Sequence, residues 1–154
     1  MSKRLSWLLV GAAAGVLVAA PWQSSSAAST GPATIRINER QLTVTRIDVG
    51  ERGTSPVDME LVSLRLLQRG TLDVIGHGEI VCTFVDTVRS RSCRGTYVLP
   101  KGELVVGGSI LFRQFYDLAV LGGTGLYDNA RGTLTVTRTH RKPVRNLVVF
   151  RLVG

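Results

Sequence analysis

The stretch Leu118-Ala119-Val120-Leu121-Gly122-Gly123-Thr124-Gly125-Leu126-Tyr127-Asp128-Asn129-Ala130-Arg131-Gly132-Thr133-Leu134-Thr135-Val136-Thr137-Arg138 reads as strand, glycine-rich turn, strand. Its second half alternates: Thr133, Thr135, Thr137 and Thr139 share one face, and Leu134, Val136 and Arg138 share the other. That is the period of a half-buried β-strand, not of a helix. Gly122-Gly123-Thr124-Gly125 supplies the positive φ that a tight turn needs. It is no phosphate cradle: the Gly-Lys-Ser/Thr ending is missing, and a dinucleotide pattern begun at Gly123 would need glycine where Asp128 stands.

The same punctuation recurs along the chain. Apolar, β-branched segments run over Ala33–Val49, Asp58–Gln68, Leu72–Asp86, Cys93–Leu99, Glu103–Phe112, Asp117–Leu121, Gly132–His140 and Arg145–Val153, parted by short polar or glycine-containing turns. Glycines 76 and 78 inside the third segment suggest a bend or bulge. Outside the first 28 residues no segment reads as a helix. The expected fold is therefore all-β, an eight-stranded antiparallel β-barrel, which removes free sheet edges. A two-sheet sandwich is the alternative. Leu104-Val105-Val106 and Leu147-Val148-Val149-Phe150 are apolar on both faces, so a homo-oligomer contact is expected to cover the outer one.

Residues 1–28 read as a signal peptide. Lys3 and Arg4 form a positive start, Leu5 to Ala20 an apolar run ended by Pro21, and Ser26 and Ala28 a small-residue cleavage site. The barrel domain is then 29–154, exported and secreted, with no membrane attachment after cleavage. Retention of the segment as an anchor is the alternative. In an oxidising compartment Cys82 and Cys93 are expected to form a disulfide across a strand–turn–strand unit. The net charge of +8 comes from single arginines spread over strands and turns, without a basic helix or an aromatic stacking row, which argues against nucleic acid. His77 and His140 have no carboxylate or Cys at ligand spacing, so no metal is expected. Ser109 has no nearby His and no G-x-S-x-G around it, so a serine hydrolase is unsupported. Glu79 and Asp73 fall on the parity opposite Cys82 and are expected to face outward.

Leu118 to Tyr127 followed by Ala130-Arg131-Gly132 resembles the hallmark stretch of the allene oxide cyclase and dirigent superfamily. Ile37-Asn38-Glu39-Arg40, Ser55-Pro56-Val57-Asp58, and Asp73-Val74-Ile75-Gly76 with Val81-Cys82-Thr83 are similar to its first three strand regions in order and spacing. The resemblance implies a homotrimer of barrels, each with a polar pocket at one end. In the plant cyclases that pocket uses a first-strand Glu, an Asn two residues on, a third-strand Cys and a fifth-strand Tyr. Matched here, the Asn falls on Asn38 and the Cys on Cys82, while Arg36 and Ile110 stand at the Glu and Tyr positions. Arg113 and Asp117 lie near the dirigent acid–arginine region without matching it cleanly.

The expected site is a polar floor of Arg36 and Asn38 that binds a carboxylate, phenolate or enolate, walled by Phe84, Ile110 and Phe112. The expected function is to bind a small hydrophobic reactive intermediate and steer its cyclisation or coupling by shape, as an isomerase or cyclase without a cofactor. The alternative is a non-catalytic, lipocalin-like binding protein for a hydrophobic metabolite.

Overall fold

The computed structural model describes residues 33–50, 52–86, 89–111, 115–139 and 145–153. The expected signal segment, Phe112, Arg113 and His140 lie outside them. Eight strands, β1 (Ala33–Ile47), β2 (Met59–Gln68), β3 (Val74–Phe84), β4 (Ser90–Leu99), β5 (Gly102–Leu111), β6 (Phe115–Gly123), β7 (Arg131–Arg138) and β8 (Arg145–Val153), pair antiparallel with their neighbours in sequence. β8 returns to β1, and the sheet closes into a barrel. Inward and outward residues alternate along the strands, the inward ones mostly apolar, and closure leaves no edge in the paired region. The barrel expectation holds and the sandwich does not.

Connections β1–β2, β3–β4, β5–β6 and β7–β8 lie at one end of the barrel, here called the mouth. The other end is packed solid by Leu66, Leu99, Leu104 and Phe150. There the glycine-rich stretch forms a short 3-10 turn, Gly125–Tyr127, in which Gly125 takes φ +62° and the Leu126 N–H donates to the Lys101 carbonyl. Gly132, at φ +144°, passes so close to β8 that an added Cβ would lie 1.9 Å from the Arg151 carbonyl oxygen. No side chain fits there.

Two features set what faces the mouth. Cys82 and Cys93 stand directly opposite each other on β3 and β4, both inward, and form the expected disulfide with Cα atoms 4.0 Å apart. β1 carries a bulge between Gln41 and Thr43, where its register against β2 slips. Before the slip Ile37 and Glu39 face inward. After it, Val44 and Arg46 lie opposite inward Val62 and Glu60, so the parity has switched. Glu79 and Asp73 are exposed, as their parity implied.

Candidate active site at the barrel mouth

Strand parity brings a row of polar side chains into the barrel. On β1, β8 and β7, Glu39 pairs with Asn146 and Asn146 with Arg138, which places the three on one inward face of adjacent strands. The Asn146 Nδ2 donates to Glu39 Oε1 at 2.7 Å, and the Tyr97 hydroxyl donates to Glu39 Oε2 at 3.1 Å. The Tyr97 ring is fixed from below by an edge-to-face contact with Phe150, centroids 5.2 Å apart. Glu39 is 1% exposed. Burial pushes its carboxyl above the ordinary carboxylate range, while the Asn146 and Tyr97 hydrogen bonds and the nearby Arg138 pull the other way. The Tyr97 and Tyr116 phenols are pushed up by burial first and by the Glu39 carboxyl second, so both remain hydrogen-bond donors at neutral pH.

A second group faces it from β2, β3 and β4. The Arg91 guanidinium lies over the Phe84 ring at 4.3 Å and reaches across β3 to donate from Nη1 to Glu60 Oε1 at 2.6 Å. Arg46, opposite Glu60 on β1, donates from Nε to the other carboxylate oxygen at 3.3 Å. Arg91 and Glu60 are both buried, whereas the Arg46 side chain is mostly in solvent.

Glu39, Glu60, Arg91, Tyr116 and Arg138, with Cys82 and Ile110, line one internal void of about 30 Å³. A water needs roughly 10–15 Å³ on this measure, so the space takes about two oxygen-sized atoms. It can receive one polar group of a ligand, not a whole ligand. Around the same end Ile47, Val57, Val85, Leu111 and Phe115 are exposed. The mouth therefore offers apolar surface around a charged, largely desolvated floor.

The expected floor is corrected. Arg36 is exposed and Asn38 half-buried, both on the outward parity of β1. Ile35 and Ile37 alternate with them and claim the interior, which carries Glu39 inward instead. Ile110 lines the void and Phe84 supports Arg91 from beneath. Cys82 also lines the void, in its disulfide. Sequence reasoning missed Glu39, Glu60, Arg91 and Tyr116. Arg138 was placed on the face of Leu134 and Val136, and it is on that face that it enters the site. No group of three or more His, Cys, Asp or Glu side chains suited to a metal ion occurs among the described residues.

No family model and no curated protein matches the sequence. Solved structures match the fold. A structure described as pyocyanin demethylase superposes with TM-score 0.69 at 24% identity, over 79% of this chain and 100% of that one. The pterocarpan synthase dirigent protein GePTS1 gives 0.65 at 11% identity, over 86% and 96%. The Diels Alderase AbmU from Streptomyces koyangensis gives 0.64 at 17% identity, over 79% of this chain and 64% of that one. The chain shares its eight-stranded barrel fold with these proteins. In this barrel the polar row sits at the mouth, above a solid apolar half.

Proposed function

We propose that this barrel binds a small hydrophobic molecule at its mouth and steers a cyclisation, coupling or related rearrangement of it. The observation that carries the reading is the charged set Glu39, Glu60, Arg91 and Arg138 lining a void inside an otherwise apolar barrel. Such groups cost stability compared with apolar residues of the same size, and a buried carboxyl held above its ordinary range, as Glu39 is, supports a functional site. In this reading the apolar rim holds the body of the substrate in a reactive shape. Glu39, whose carboxyl burial holds above the ordinary carboxylate range, is the proton donor to an oxygen on which negative charge develops, and Tyr116 donates a hydrogen bond to the same oxygen. Catalysis then rests on orientation plus one proton transfer. The fold neighbours, whose names describe a demethylase, a pterocarpan synthase and a Diels Alderase, support small-molecule chemistry on this scaffold.

A carrier in the lipocalin manner would need an enclosed cavity of roughly 300 Å³ or more. The interior void of about 30 Å³ favours guidance at the mouth over storage within. The reading includes export by residues 1–28 and a homotrimer built on outer barrel faces. An open groove of about 770 Å³ over β3–β6, with Val81, Val105 and Leu121 in its lining, supports such a contact.

The test is native mass spectrometry of protein purified from its source, followed by turnover of the captured molecule. Glu39→Gln should retain binding and lose conversion at least a hundredfold. A captured molecule whose binding and conversion are both indifferent to Glu39→Gln and Tyr116→Phe would show that the mouth is not the site.

A further inference from the structure

We propose that the outer face of β8, β1 and β2 binds an acidic polysaccharide through a line of arginines. Strand register lays Arg145, Arg40, Arg65 and His77 side by side. Arg40 stands opposite Arg145 on β8 and opposite Arg65 on β2, and Arg65 stands opposite His77 on β3. All four are exposed on the outward parity of their strands. Arg36 on β1 and Arg151 on β8 extend the basic face toward the solid end. The outward positions of β8, β1 and β2 carry no carboxylate. Among the described residues, Arg36, Arg40, Arg65 and Arg145 have no ion-pair partner. Arg151 is held at the flank by the Thr135 hydroxyl, which itself donates to Asp117 on β6. On the other flank Glu79, outward on β3, stands opposite Ser63.

Like charges directly opposite one another destabilise a sheet, so three arginines in register are a cost that closing the barrel does not explain. A bound polyanion removes it. Adjacent strands lie about 4.8 Å apart, so the four side chains start from an evenly spaced line about 14 Å long. A polysaccharide with a carboxylate on successive sugars repeats at close to that spacing, and guanidinium forks take carboxylates bidentately. Between the arginines lie half-buried Asn38, Leu147 and Val149. They offer an amide to hydroxyl groups and apolar surface to the faces of sugar rings. No aromatic residue occupies the outward positions of these three strands, so single-stranded nucleic acid finds no stacking platform. A convex barrel face also meets a flat lipid surface only along a narrow strip. The groove over β3–β6 lies on another part of the wall and leaves this face open. The arginines stand singly in the sequence, and only the register gathers them. The inference is independent of the chemistry at the mouth.

The experiment measures binding of the whole protein to four probes: polygalacturonate, neutral dextran, duplex DNA and vesicles containing phosphatidylglycerol. Polygalacturonate should bind at least about tenfold more tightly than each of the others, and its affinity should fall about tenfold between roughly 50 and 200 mM salt. Arg40→Gln combined with Arg65→Gln should weaken it about tenfold, and the double Lys variant, which keeps charge and loses the fork, about threefold. Lys101→Gln, an exposed cation in the β4–β5 turn, should leave it within about twofold of wild type. Thermal melts confirm that the variants fold. Should the Arg40 and Arg65 double variant melt far below wild type, Arg145→Gln alone carries the test, with an expected loss of about threefold. Dextran bound as tightly as polygalacturonate, or binding indifferent to salt, overturns the proposal. Tighter binding of DNA or of vesicles gives the line to phosphate groups and overturns the polysaccharide. Unchanged affinity in the folded arginine variants places the polymer elsewhere and overturns it as well. None of these outcomes bears on Glu39 or the mouth, whose test is turnover.

Discussion

Glu39 and Asp58 are both buried carboxyls, and their surroundings drive them in opposite directions. Asp58 accepts the backbone N–H groups of Val49 and Ser55, which hold it below the ordinary carboxylate range. Its contribution to stability is present above its unfolded pKa and disappears as pH falls through the lower folded value. Glu39 has the reverse sign. The folded chain keeps a proton there that the unfolded chain releases above about 4.5. The stability it allows is fullest in acid and declines as pH rises toward the folded value. Glu39→Gln should thus melt above wild type at pH 8. At pH 4 the gain should vanish, and thermal scans at both values decide it. Glu39 was within reach of the sequence, since Ile35 and Ile37 mark its face as the inner one. The resemblance pointed to Asn38, one residue away, and in a strand one residue is the whole difference between inside and outside.

At the level of elements, β2, β3 and β4 are held together by a buried ion pair and a disulfide that share the inner face. Removing one partner of a buried pair strands a charge in the interior. Glu60→Ala or Arg91→Ala should each cost about 3–5 kcal/mol in denaturant unfolding, whereas Glu60→Leu with Arg91→Met should recover most of it. A double variant no more stable than the single ones would mean that the pair does more than neutralise itself. Replacing Cys82 and Cys93 by Ala should cost about 2–3 kcal/mol, in keeping with the loss of a short cross-link of separation 11. Urea curves under non-reducing conditions measure it. The strands themselves were legible because alternation and glycine turns are local signals. β4 begins at Ser90, three residues before the expected Cys93, although Ser90-Arg91-Ser92 has the composition of a turn. What makes Arg91 an inward strand residue is Glu60, 31 positions earlier, and no local window contains both. Once Cys82 and Cys93 are known to be opposed, counting back two residues puts Arg91 beside Phe84.

For the molecule as a whole, every strand pairs with its neighbours in sequence except at the single seam where β8 meets β1. The proposed trimer would cover outer faces of this barrel. Light scattering at tens of micromolar should give three times the monomer mass, and a lone monomer would count against it. The seam also orders events in time. Hairpins such as β3–β4 and β6–β7 close short loops and can form early, but the seam must close a loop that spans most of the chain. The hydrogen bond from Asn146 to Glu39 crosses it, 107 positions apart. A chain with the seam unsealed would carry Glu39 in water as an ordinary carboxylate, and sealing the seam buries it. Burial then raises the carboxyl's affinity for a proton. Refolding should slow as pH rises from 5 to 9 in wild type and stay flat in Glu39→Gln, as stopped-flow fluorescence would record. Glu39, the proton donor of the proposed chemistry, would then also act as a pH-dependent brake on the seam's closure.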